Sequence, residues 1–321
     1  MIYQLNHALK RWTDPTRRPL SPAHLIHQVV KQQRLPRLSG DKLFVVTDSS
    51  TKHDHTFDAI VCTDENGLEQ WNRQRQWVRR NYTSMPTLHN KKLKRGTFDW
   101  RALRAYLNAM NAVNGVAAVI ATPDTWLTTD SEHLRKAKLM GPSHRNHPWP
   151  VDRTYAGLIN LASLVAALAR PLVRSGMSVC WLSDTEPPLR NPLMRQDIES
   201  AFTRALDITI PQRLKDCALV VKEDLPNTNN WQTDLFAMPD MLAGGVGDAI
   251  DALIESPDLE QVSWDPVQHT RLTLRESLVA DWFWGQANKG PVRMGIRLEE
   301  RGFDGVKLHR RAHWFRPPNS T

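Results

Sequence analysis

The sequence predicts an α/β protein in which helices cover a mixed β-sheet. Short apolar segments bounded by turn residues alternate with longer segments whose apolar residues have helical spacing. The first two apolar segments are joined by a short polar tract, which predicts a hairpin. The later ones are separated by helices, and a mixed sheet covered by helices accommodates both patterns.

The predicted elements follow one another in a regular order. A basic arm at 1–20 precedes a helix that begins at Ser21-Pro22, where serine is the cap and proline takes the first helical position. The predicted strands are 42–48, 56–63, 116–121, 177–184 and 218–221. The later predicted helices are 69–82, 98–113, 155–174, 193–206, 235–254 and 273–286, and the polar residues 123–150 are predicted to cross the surface.

This order of elements divides the chain into three parts. Residues 1–40 form a basic N-terminal arm and helix, 41–256 form the core domain, and 257–321 form a Trp-rich basic C-terminal extension. The core order fits a ribonuclease H-like architecture, and it fits several doubly wound folds as well.

The chain is basic, with a formal net charge of +8. Residues 1–40 carry seven Lys and Arg against one Asp, and residues 301–321 carry five against one Asp. Both terminal segments are basic, whereas positive and negative charges are roughly balanced in the central part of the chain, and this pattern favours contact with nucleic acid. The alternative explanation is that the basic termini only make the protein more soluble.

Cysteine spacing and hydropathy bear on the compartment. The three cysteines lie far apart, so we predict neither a zinc site nor a disulfide framework and expect reduced thiols in the cytoplasm. No apolar stretch approaches the ~20 residues of a membrane span, and the N-terminus lacks an apolar signal core. We therefore expect neither membrane association nor secretion.

Three acidic residues lie where separate apolar segments end or turn. Asp48 closes 42–48, Asp184 closes 177–184, and Asp240 lies in the first turns of a predicted helix. Turn or cap residues are the ordinary explanation for each acid alone. Because an unpaired buried carboxylate is costly, the set predicts a shared Mg²⁺ or Mn²⁺ and two-metal phosphodiester hydrolysis. Glu186 is a further candidate catalytic acid.

Basic and aromatic residues are interleaved in and after the predicted helix 69–82. The candidate nucleic-acid contacts are Arg73, Arg75, Arg79, Arg80, Lys91, Lys92, Lys94 and Arg95. Trp77 could stack on a base, whereas Trp71 and Tyr82 are expected to face the core. A solvated helix face is the alternative explanation for the arginines.

Three segments resemble a known prokaryotic family. They are Phe44-Val-Val-Thr-Asp48-Ser49-Ser50, Val179-Cys-Trp-Leu-Ser-Asp184 and Asp234-Leu-Phe-Ala-Met-Pro-Asp240-Met-Leu-Ala-Gly244. In outline, residues 42–255 resemble the "domain of unknown function 3800" family. The resemblance implies a ribonuclease H-like fold and a metal-dependent nuclease with Asp48, Asp184 and Asp240 as ligands. Many members accompany anti-phage genes, which implies a role in prokaryotic defence.

Departures from the family pattern leave two alternatives open. The family has a glutamate before a lysine where this chain has His89-Asn90-Lys91-Lys92, and no acid follows Asp48 directly. One is an active nuclease with fewer metal ligands, and the other is a catalytically degenerate nucleic-acid-binding or assembly subunit of a defence complex. A third hypothesis, which does not rest on these departures, is a small-molecule enzyme of doubly wound fold that uses Asp184 at the end of a strand.

Overall fold

The computed structural model describes residues 3–4, 6–12, 21–52, 54–82, 100–126, 153–209, 214–254, 263–264, 272–285, 290–301 and 309–316. The predicted contacts Lys91, Lys92, Lys94 and Arg95, and the variant motif 89–92, lie outside the described residues. Every helix and strand predicted above is present in the described ranges, with ends shifted by a few residues.

The described strands are β1 (Tyr3–Gln4), β2 (Asn6–Trp12), β3 (Lys42–Lys52), β4 (His55–Asp64), β5 (Val116–Pro123), β6 (Ser178–Ser183), β7 (Asp216–Val221), β8 (Ser263–Trp264), β9 (Val292–Arg301) and β10 (His309–Arg316). The described helices are α1 (Pro22–Val30), α2 (Glu65–Asn81), α3 (Trp100–Ala109), α4 (Arg153–Ala169), α5 (Pro187–Arg190), α6 (Pro192–Thr209), α7 (Trp231–Ile254) and α8 (Leu274–Gly285).

A mixed eight-stranded sheet organises the molecule, as the sequence predicts. Its order is β2-β10-β9-β5-β4-β3-β6-β7. The strands β3 and β4 form the predicted antiparallel hairpin, and β5 pairs antiparallel with β4. The strands β6 and β7 continue the sheet in parallel on the other side of β3.

Both ends of the chain contribute strands to this sheet. Strand β9, from the segment expected to be an extension, pairs parallel with β5, and β10 pairs antiparallel with β9. Strand β2, from the N-terminal arm, pairs antiparallel with β10. The expected division into arm, core and extension therefore does not follow the sheet, which draws strands from all three parts.

The two faces of the sheet carry separate hydrophobic cores, because side chains alternate along each strand. The α7 face is covered by α2, α3, α7 and α8, and its core includes Val46, Phe57, Trp71, Tyr106, Leu242 and Phe283. The α4 face is covered by α1, α4 and α6, and its core includes Val29, Val45, Ile60, Leu164, Trp181 and Phe202.

One helix contradicts the expectation that no apolar stretch is long enough to span a membrane. Residues Thr154–Leu172 are long and apolar enough to cross a membrane, but 78% of this segment is buried inside the protein. Because α4 packs on the sheet with most of its circumference covered, this burial is that of a core helix.

Glycines allow α7 to approach the sheet and α8 closely. A Cβ added to Gly247 would lie 2.8 Å from the ring of Phe57, and one added to Gly245 would lie 2.8 Å from Val279. Such distances are too short for carbon atoms, so both positions require glycine.

A buried ion-pair group joins α2 to α7. The Arg75 Nη1 lies 3.0 Å from Asp234 Oδ2, and Arg79 also pairs with this carboxylate. The Arg75 side chain is only 2% exposed and also donates to the Asn229 carbonyl oxygen at 2.8 Å. The prediction that Arg75 and Arg79 contact nucleic acid is therefore corrected, because both guanidinium groups are committed to Asp234.

Replacing Asp234 with alanine should destabilise the protein strongly. Because two guanidinium groups would lose their counter-ion, one of them fully buried, we expect a loss of about 3–5 kcal/mol in the free energy of unfolding. Urea denaturation measures this. The control Glu69→Ala breaks the exposed Arg73–Glu69 pair and should cost less than about 1 kcal/mol. Equal effects of the two variants would contradict the structural role of Asp234.

Candidate active site at the ends of β3, β6 and β7

A row of charged residues lies where β6 and β7 end beside β3, which itself continues to Lys52. Thr47 pairs with Ser183 across β3 and β6, and Ser183 pairs with Val221 across β6 and β7. The next residue along each strand is Asp48, Asp184 or Lys222, so the register brings these three side chains to one edge. By alternation from Val46 and Leu182, both aspartates lie on the α7 face.

Asp240 joins the row from α7, the helix that follows β7. Its carboxylate raises the pKa of Asp48, and so does that of Asp184, although burial is the larger cause of the shift. The three predicted acids therefore come close enough together to repel one another. All three are partly exposed, so the cluster is accessible from solvent.

Hydrogen bonds hold two of these acids at the strand ends. The backbone N–H of Ser49 donates to Asp48 Oδ1 at 2.8 Å, and the N–H of Thr185 donates to Asp184 Oδ1 at 2.7 Å. Such local contacts fix each carboxylate beside its own strand and satisfy one oxygen of each.

Two cations lie next to the acids. The Lys222 Nζ is 3.0 Å from both oxygens of Asp184, and it lies 5.2 Å from the centre of the Phe236 ring of α7. Burial lowers the pKa of Arg275 on α8, whereas the carboxylates of Glu276 and Asp240 oppose that shift. The cluster thus contains mixed charge rather than acids alone.

The chemistry of these acids suits a divalent cation, but their arrangement suits one only in part. Carboxylate oxygens are the ligands that Mg²⁺ and Mn²⁺ prefer, and the charges of Asp240 and Asp184 add to the effect of burial in raising the pKa of Asp48. Within the described ranges, however, no three His, Cys, Asp or Glu side chains are grouped closely enough to hold a metal. Metal binding at Asp184 would also compete with Lys222.

The fourth predicted acid, Glu186, lies elsewhere. It lines a cavity of about 360 Å³ on the α4 face, together with Asp58 of β4 and Ser49 of β3. Its negative charge is a smaller cause of the raised pKa of Asp48 than Asp240 or Asp184. The structure therefore associates Glu186 chiefly with a second group of polar residues on the opposite side of the sheet.

Asp58 is an acid that the sequence analysis missed. Its side chain is 3% exposed, and the Ser49 hydroxyl donates to Asp58 Oδ1 at 2.7 Å. Burial raises the pKa of Asp58 to about 6, and the Ser49 hydrogen bond opposes the rise. Its position two residues before Ile60, on the same buried face of a strand, is the signal that could have identified it.

Part of the predicted basic surface is present on the exposed face of α2. Arg73 and Arg80 are exposed, and Trp77 between them is 54% exposed. Arg73 pairs with Glu69 on the same helix. Trp71 is fully buried and Tyr82 packs against the same core, as the sequence analysis expects.

Comparison of the chain with family models, curated proteins and solved structures found no match. The resemblance to the "domain of unknown function 3800" family therefore stays a prediction. The geometry of the site itself is what bears on function.

The raised pKa of Asp58 predicts a pH-dependent stability. The folded state holds this proton up to about pH 6, whereas the unfolded chain releases it near pH 3.8. The stabilisation that comes from this proton is therefore complete below the pKa of Asp58 in the unfolded chain. It is lost as the pH rises through about 6, the pKa in the folded protein. The total contribution is about 3 kcal/mol, since each pKa unit corresponds to about 1.4 kcal/mol.

Urea unfolding between acidic and neutral pH measures this effect. Asp58→Asn should match the wild type near pH 4 and exceed its free energy of unfolding by up to about 3 kcal/mol at pH 7. The control Asp207→Asn changes an exposed acid of α6 and should differ from wild type by less than about 0.5 kcal/mol throughout. An Asp58→Asn curve parallel to that of the wild type would contradict the burial of this charge.

Proposed function

We propose that this protein is a metal-dependent nuclease, or a nuclease-like effector, of ribonuclease H-like fold. The strand order β5-β4-β3-β6-β7 supports the fold, since among these five strands only β4 runs opposite to the others. That arrangement is the one expected of a ribonuclease H-like sheet, with the remaining strands added beyond β5.

The observation that carries the proposal is the convergence of three remote acids at one edge of the sheet. Asp48 comes from β3, Asp184 directly follows the adjacent strand β6, and Asp240 comes from the helix after β7. Burial raises the pKa of Asp48, and the charges of Asp240 and Asp184 raise it further. An acid with a strongly perturbed pKa in an accessible cluster is a candidate functional residue.

Each residue has a role in the proposed reaction. Asp48, Asp184 and Asp240 would hold Mg²⁺ or Mn²⁺, which when bound supplies an activated water and stabilises the leaving oxygen of a phosphodiester. Lys222 lies beside the same edge, where its ammonium group could pair with a phosphate oxygen.

The exposed face of α2 is the proposed nucleic-acid contact. Arg73 and Arg80 lie one turn before and one turn after Trp77, so a base could stack on the indole while the guanidinium groups meet phosphates. The uneven net charge of +8 favours the same partner.

A specific observation favours the alternative, a catalytically degenerate binding subunit. Lys222 contacts both oxygens of Asp184, so a lysine already occupies the position of a cation. The cytoplasmic location and a role in a defence complex rest on composition and on the family resemblance, and they stay predictions.

Replacing Asp48 with asparagine should abolish cleavage without weakening the fold. We expect at least a ~100-fold loss of Mn²⁺-dependent cleavage of single-stranded DNA or RNA, because a metal ligand is lost. The melting temperature should not fall, because the change also removes repulsion with Asp184 and Asp240. The control Asp207→Asn, on the exposed side of α6, should cleave at the wild-type rate. Undiminished cleavage by Asp48→Asn would refute the site.

Calorimetric titration with Mn²⁺ separates the nuclease from the degenerate subunit. The nuclease binds Mn²⁺, and Asp240→Asn weakens this binding. The degenerate subunit binds nucleic acid in a salt-sensitive manner without binding Mn²⁺. A result of the second kind would overturn the catalytic proposal and leave the fold and the nucleic-acid contact in place.

The proposed contact on α2 predicts two separable mutational effects. Trp77→Ala should weaken binding of single-stranded oligonucleotide by about 1–3 kcal/mol, because base stacking is lost. Arg80→Ala should lower the salt slope of binding by about 0.7–0.9 per phosphate contact. The matched control Arg190→Ala removes an arginine that is equally on the surface but pairs with Glu223, and should change neither quantity. Equal weakening by all three variants would indicate non-specific electrostatics.

A further inference from the structure

A cavity on the α4 face contains polar groups that the proposed nuclease site does not use. It has a volume of about 360 Å³ and lies between the β3–β4 hairpin and α4. The strands contribute the hydroxyls of Ser49, Thr51 and Thr56 and the carboxyl of Asp58. Glu186 contributes a second carboxyl, and α4 contributes Leu158 and Leu161.

Among the described residues, no cation pairs with the Asp58 carboxyl. It is 3% exposed, and Ser49 donates its hydroxyl to one oxygen. In the part of the chain that the structure describes, nothing else hydrogen-bonds to this carboxyl and no Lys, Arg or His pairs with it. A buried carboxylate without a cation is costly, and this one lines a cavity, so a cation in the cavity would offset that cost.

The chemistry of the lining restricts the ligand. Two carboxyls favour a cation, and hydroxyl oxygens can accept further N–H hydrogen bonds. The two leucines suit a hydrocarbon stem rather than a metal ion, and no metal-ligand group is present in the described residues. A volume of about 360 Å³ is within the range for small organic ligands.

We propose that this cavity is a binding site for a small alkyl cation, with an ammonium or guanidinium group on Asp58 and its hydrocarbon chain on Leu158 and Leu161. The second carboxyl, that of Glu186, suits a ligand with a cation at each end. The site lies on the opposite side of the sheet from Asp48 and does not depend on the nuclease proposal.

Gly157 offers a way to block the cavity without touching its acids. It lines the cavity, and a Cβ added to it would meet no atom within 4 Å. Alanine at this position should therefore be tolerated and should favour the helix. Leucine would extend further into the cavity and exclude a ligand.

A ligand-observed NMR titration of the full-length protein tests the proposal with putrescine, a short alkyl diamine, and with the neutral diol of the same length. Putrescine should bind at least about tenfold more tightly than the diol, because only the diamine can pair with the carboxyls. Asp58→Asn and Gly157→Leu should each weaken putrescine binding at least about tenfold. Gly157→Ala and Asp240→Asn should keep the wild-type affinity.

The same measurements can overturn the proposal. Absence of putrescine binding to the wild type, or binding of the diol with equal affinity, would reject a cation site. Loss of binding in Asp240→Asn with retention in Gly157→Leu would place the diamine at the acid cluster instead. Should Asp58→Asn fail to fold, the comparison of Gly157→Leu with Gly157→Ala still decides the outcome.

Discussion

The register of β3 between β4 and β6 is the constraint on which both polar sites depend. Side chains alternate along a strand, so a slip of one residue would exchange the two faces of β3. The Trp181 indole N–H donates to the Thr47 hydroxyl at 2.8 Å across the buried β3–β6 pair. This hydrogen bond, together with the apolar side chains around it, holds Asp48 on the α7 face and Ser49 on the α4 face.

The same alternation separates two acids that differ in their surroundings. Asp48 has a raised pKa because of burial and because other carboxylates lie near it. Asp58, opposite Ser49 on β4, has a raised pKa through burial alone, opposed by one hydrogen bond. Both acids oppose folding at neutral pH, and such unfavourable groups are expected where a protein retains function at the expense of stability. The two hydrophobic cores supply the stability that tolerates them.

Local sequence patterns predicted the central part of the fold and the acid cluster, and long-range contacts account for what they missed. Apolar runs identify β3 to β7, and an acid at the end of such a run identifies Asp48 and Asp184. The pairing of Arg75 with Asp234 joins residues 159 positions apart, which no local pattern reveals. Lys222 adjoins Asp184 only through the register of β6 and β7.

The outer strands were missed for a related reason. Strand β10, His309–Arg316, contains arginines and histidines among its apolar residues, so its sequence lacks the continuous apolar character of the central strands. Its place in the sheet comes from pairing with β9 and β2, which lie at opposite ends of the chain. Such pairing is a property of the folded chain rather than of the segment.

Lys222 lowers the negative charge of the acid cluster but does not remove it. The Lys222 ammonium group pairs with the Asp184 carboxylate, and Arg275, on which the charge of Asp240 also acts, pairs with Glu276. Burial is the largest cause of the raised pKa of Asp48, and the charges that add to the rise are those of Asp240, Asp184 and Glu186. These negative charges would attract a further cation to Asp48 even while Asp184 keeps its lysine. Lys222 is thus an argument against a metal site that uses all three carboxylates. It is a weaker argument against metal binding at this edge of the sheet.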